Sequence, residues 1–65
     1  MKKFSLYYYE ASLLERDPDK WIYKIYEETP REFVPVRESS EWFDSKGRAE
    51  LAAIGHIHLL ENGEG

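Results

Sequence analysis

Only one stretch of this 65-residue chain reads as a long helix, residues 43–63 (FDSKGRAELAAIGHIHLLENG), and a single helix can cover only one face of whatever sheet precedes it. Ser45 or Asp44 supplies the N-cap, since either side chain can accept a bond from an orphan N–H of the first turn. Asn62-Gly63 supplies the stop, because both residues tolerate the left-handed conformation that ends a helix. A 3.6-residue period gathers Ala49, Ala52, Ala53, Ile57 and Leu60 on one face, with His56 among them. Alanines there let the helix axis come close to a flat sheet. Leu51, Ile54 and Leu59 fall to the sides or back, around Gly55, so the apolar surface is wider than one contact needs. These three residues are candidates for self-association.

The preceding residues read as strands. Residues 4–14 (FSLYYYEASLL) form a strand-like run that ends at the turn signal ERDPDK, where Asp-Pro presets the bend. Residues 21–28 (WIYKIYEE) are the strongest strand, rich in Ile and aromatics, and Thr29-Pro30-Arg31 turns the chain again. Residues 32–38 (EFVPVRE) contain Pro35, which lacks a ladder donor, so this strand is expected at an edge. The expected fold is therefore α+β: a three-stranded antiparallel meander (4–14, 21–28, 32–38) with one C-terminal helix over 45–62 packed on one face. It is one domain, residues 1–65, with 63–65 a frayed tail. A helix of this length spans roughly 24 Å and a seven-residue strand roughly 23 Å, so the two layers match.

Strand alternation puts Trp21, Tyr23 and Ile25 on one face of the central strand and Ile22, Lys24 and Tyr26 on the other. Lys24 marks the second face as the wetter, so the first is assigned to the core. The register of the first strand stays open, because a one-residue slip exchanges Phe4, Leu6 and Tyr8 with Tyr7, Tyr9 and Ala11. Either choice leaves aromatics on the uncovered face. The candidate binding face is Tyr7, Tyr9, Lys24, Tyr26 and Arg37.

Composition narrows the chemistry. Without cysteine there is no disulfide, no thiolate nucleophile and no Cys-based zinc site. Aromatics at 15% give a small domain the area it needs to bury, and rule against a disordered chain. A net charge of −4 with scattered cations disfavours nucleic acid as a partner. Neither a membrane span nor a secretory signal is present in the pattern, since Glu10 interrupts the first apolar run; the expectation is a cytoplasmic protein.

His56 and His58 are two residues apart, on nearly opposite sides of a helix, and so cannot chelate one metal as an i, i+4 pair does. His56 reads as a packing residue. No carboxylate pair, nucleophile elbow or phosphate-binding glycine loop is evident, so no enzyme activity, cofactor or metal is expected.

Trp21–Tyr26, followed by Phe43-Asp44-Ser45-Lys46-Gly47-Arg48-Ala49, resembles small bacterial YegP-like proteins. In that pattern a Trp-containing hairpin leads into an aromatic-x-Ser-Lys-x-x-Ala helix start. The resemblance covers about half the chain and implies the strands-then-helix order, with no assigned chemistry. The function expected is a small interaction or accessory module that contacts another protein or forms a homodimer. The alternatives are single-strand nucleic-acid binding on the aromatic face and an acidic decoy for a nucleic-acid enzyme.

Overall fold

The computed structural model describes residues 1–63 and lays one helix across an antiparallel sheet. The elements are β1 (Lys2–Phe4), β2 (Tyr7–Glu15), β3 (Lys20–Glu28), β4 (Phe33–Glu38) and α1 (Lys46–Glu61). The α+β class and the C-terminal helix agree with the sequence; the strand count does not. The sheet has four strands in the order β1-β2-β3-β4, where three were expected. The run 4–14 folds back on itself at Ser5-Leu6, so that Phe4 pairs with Tyr7 across a two-residue loop. Ser5 takes a φ of 57°, the positive value that tight hairpin turns need. No glycine or asparagine marks this turn, and hydrophobicity runs straight through it.

That loop settles the open register. A two-residue turn keeps Phe4 and Tyr7 on the same side, so Phe4, Tyr7, Tyr9 and Ala11 point one way and Tyr8, Glu10 and Ser12 the other. Tyr9 pairs with Ile25, Ala11 with Tyr23 and Leu13 with Trp21, so the expected core side of β3 meets the Tyr9 side of β2. Tyr9, Tyr23 and Ile25 are buried and form one cluster with Ala53 and Ile57 of the helix. Trp21 is half-buried at the end of this face.

The helix is capped as its sequence requires. Ser45 Oγ accepts from the Arg48 N–H at 3.2 Å, so Ser45, not Asp44, is the N-cap. At the other end the Asn62 N–H donates to His58 O and the Gly63 N–H to Leu60 O, both at 3.1 Å. Gly63 has φ 77°, a conformation glycine reaches without a Cβ clash. Gly63 therefore takes part in the helix cap; of the expected tail 63–65, residues 64 and 65 lie outside the described residues.

Ala49, Ala53 and Ile57 have no exposed surface, which places the helix axis close to the sheet as the small side chains allow. Burying Ile25 and Ile57 completely contributes roughly 1.5–3 kcal/mol each. Ile54 is turned partly inward and packs against the core. Leu51 and Leu59 remain on the outer side, 70% and 46% exposed. The three residues expected to form one outward patch are thus divided.

β4 is an edge strand with Pro35 on it, as expected, and a register shift between Ile25 and Tyr26 marks a bulge there. Past its end the chain keeps contact with β3. The Ser39 N–H donates to Tyr23 O at 2.9 Å, and the Tyr23 N–H donates to Ser39 Oγ at 3.1 Å. Phe43 then exchanges two 2.8 Å backbone bonds with Trp21, which carries the chain over to the helix. The opposite edge, β1, is only three residues long and carries Lys2 and Lys3. The lysines of β1 and the proline and bulge of β4 discourage strand addition where they lie, but among the described residues no strand flanks residues 10–15 of β2 on the β1 side. Among the described residues no helix is long and apolar enough to cross a membrane.

Candidate protein-contact surface

The side of the sheet away from the helix is built in cross-strand rows. Tyr8, Tyr26 and Pro35 form one row, Glu10, Lys24 and Glu38 the next, and Ser12 pairs with Ile22 beyond it. Rows of this kind bring side chains within reach across paired strands. Tyr8 meets Phe33 edge-on, with ring centroids 4.8 Å apart, and Lys3 Nζ lies 5.5 Å from the centre of the Tyr8 ring. Phe33 itself is 42% exposed.

Tyr26 and Glu10 fix the centre of this face. The Tyr26 hydroxyl donates to Glu10 Oε1 at 2.7 Å. Donation to a carboxylate holds the Tyr26 pKa above its ordinary value, with burial and the charge of Glu10 adding to the effect. Lys24, Tyr26, Pro35, Val36, Arg37 and Glu38 line an open recess of about 500 Å³ along the β4 edge. Arg37 Nη1 donates to Val36 O at 2.7 Å. At the far end, Leu14, Ile22 and Trp42 border a second recess of about 200 Å³, with Lys20 Nζ 5.1 Å from the centre of the Trp42 ring.

Of the residues assigned to the binding face, Lys24, Tyr26 and Arg37 come together around the larger recess. Tyr7 and Tyr9 do not join them. They lie on the helix side, Tyr9 only 7% exposed, because the Ser5-Leu6 turn sets the parity of β2. Tyr8 takes their place. Phe33 was not assigned to this face from sequence; its position two residues before Pro35 on an edge strand is the signal that it shares the proline's side.

The histidines serve the other side of the sheet. His56 Nδ1 lies 2.8 Å from the Tyr23 hydroxyl, between helix and sheet. Burial, and then the negative charge of Glu41, push the Tyr23 pKa above its ordinary value. His58 packs edge-on against Phe4 at 5.1 Å between centroids. Among the described residues no three His, Cys, Asp or Glu side chains gather as a metal site. Comparison with protein-family models, with curated proteins and with solved structures returns no match.

Proposed function

We propose that this chain is a non-enzymatic protein–protein interaction module that pairs with a second copy of itself through the open face of its sheet. The observation that carries this reading is the broad uncovered face of the sheet, with aromatic and aliphatic side chains set in cross-strand rows. Tyr8, Ile22, Tyr26, Phe33 and Pro35 lie on that face, while β1 is short and lysine-bearing and β4 carries a proline and a bulge. Strand addition is thereby disfavoured along β4, and face-to-face contact is the mode that engages all five of these side chains.

Size favours the sheet over the helix as the contact. The molecule is a slab of 38 × 25 × 16 Å, and the sheet occupies one broad side. A stable interface takes roughly 800 Å² from each partner, which a broad side of this size can supply. The outer helix ridge offers Leu51 and Leu59 on either side of the exposed Gly55, and scattered surface leucines of this kind are ordinary. The helix flank is therefore the weaker candidate for self-association.

The other readings draw less support. Tyr8 and Tyr26 could stack on bases, with Lys3 and Lys24 beside them, but Glu10, Glu28 and Glu38 share the face and the net charge is −4. An acidic decoy needs carboxylates on one surface. Here Glu50 and Asp44 are paired with Lys2 and Arg48 on the helix side, while Glu10 and Glu38 lie across the sheet.

Sedimentation velocity from low to high micromolar concentration tests the reading. A sedimentation coefficient that rises toward that of a dimer is expected; a monomer throughout would overturn it. Low-salt binding of a short single-stranded oligonucleotide that weakens in Lys24→Ala and Tyr26→Ala would favour the nucleic-acid reading instead.

A further inference from the structure

The central row of the open face carries Glu10, Lys24 and Glu38, with no ion pair between them. Glu10 and Lys24 are cross-strand partners on β2 and β3. Among the described residues the ion pairs are Lys2–Glu50, Lys20–Glu15 and Arg48–Asp44, and Lys24 takes part in none of them. Glu10 is held by the Tyr26 hydroxyl through Oε1 alone, which leaves its second oxygen able to accept. An oriented carboxylate and an ammonium thus stand side by side on the two inner strands, between the row of Tyr8, Tyr26 and Pro35 and the pair Ser12 and Ile22, with Glu38 beyond Lys24 on the edge strand.

Resting on the reading that the chain self-associates through this face, we infer that the two copies are related by a two-fold axis running parallel to the strands between β2 and β3. Rotation about that axis lays β2 of one copy over β3 of the other while keeping each row at its own height. Glu10 of each copy then lies over Lys24 of the other, twice by symmetry, as an isologous contact requires. The same operation lays Tyr8 over Tyr26 and Ser12 over Ile22. The alternative in-plane axis, running across the strands through this row, would set Glu10 on Glu10 and Lys24 on Lys24. Like charges facing across an interface oppose association, so the charge pattern selects the first axis. Sheets packed face to face keep their strands within about 30° of each other, so the match is closest near the axis, where Glu10 and Lys24 lie. Glu28 and Glu38 fall toward the rim, where water screens them.

The arrangement is tested by charge complementation between copies. Glu10→Lys gives a face on which lysine meets lysine across the axis, and Lys24→Glu a face on which glutamate meets glutamate. Each variant alone should self-associate at least about tenfold more weakly than the parent. An equimolar mixture should recover association, because both lysines of the first variant then face both glutamates of the second. Recovery in the mixture cannot come from an effect within one chain. Parent-like association of either variant alone, or no recovery in the mixture, overturns the two-fold while leaving the interaction-module reading in place. A parent that stays monomeric overturns both. The cysteine-free chain offers a second measurement that spares the charges. Ser12→Cys and Ile22→Cys, mixed and treated with a short bis-maleimide, should cross-link to each other in preference to themselves, and preferential self-linking contradicts the axis.

Discussion

The Tyr23 hydroxyl and His56 Nδ1, 2.8 Å apart, join the central strand to the middle of the helix. The bond gives a polar tip to a tyrosine whose ring is buried in the core, and gives a half-buried imidazole its partner. Tyr23→Phe keeps the ring and removes the bond. The expected loss is about 1 kcal/mol of stability, read as a lower urea midpoint with an unchanged slope.

Alkaline pH should weaken the fold through Tyr23 and Tyr26. Both have pKa values raised above 10.0 in the folded chain, Tyr23 chiefly by burial and Tyr26 chiefly by its bond to Glu10. Below pH 10.0 both groups are protonated in the folded and unfolded states, and the stabilisation is fully present. Above it the unfolded chain releases protons that the folded chain retains, so stability falls as pH rises. Tyrosinate absorbance should show two groups titrating late, and Tyr26→Phe should remove one of them.

Packing between helix and sheet is tight at the alanines. Ala53 has no exposed surface and belongs to the same cluster as Tyr9, Tyr23 and Ile25. Ala53→Leu should overpack this contact and cost about 1–3 kcal/mol, whereas Leu51→Lys on the outer ridge should leave stability within about 0.5 kcal/mol. Thermal melts of the two variants make the comparison.

The helix start offers a further check. Ser45→Ala removes the acceptor for the Arg48 N–H and should cost about 1 kcal/mol. Asp44→Ala should cost less, because it removes an exposed ion pair with Arg48 and leaves the cap intact. Urea unfolding of the two variants measures both losses, and equal losses would contradict the assignment of Ser45 as the cap.

How much of this was legible in the sequence differs from element to element. Ser45, the alanine face and Asn62-Gly63 located the helix to within a residue or two, because capping and periodicity act locally. The core side of β3 was legible for a similar reason: Lys24 can sit only on the wetter face. The first hairpin was not. Its turn uses Ser5 at positive φ and no glycine or asparagine, so nothing in the residue types announced it. That single turn decides the parity of β2 and moves Tyr7 and Tyr9 from the expected binding face to the core side. Ile54 was misplaced on a smaller scale. It lies on the flank of the helix, where the width of the sheet and not the helical period decides what is covered.

The claim that the open sheet face is the contact surface is tested most directly by following side-chain NMR signals as the protein is diluted from high to low micromolar concentration. Resonances of Tyr8, Ile22, Tyr26 and Phe33 should shift together along one binding curve, while those of Leu51 and Leu59 stay fixed. Shifts confined to Leu51 and Leu59, or no concentration dependence at any of these residues, would contradict the account.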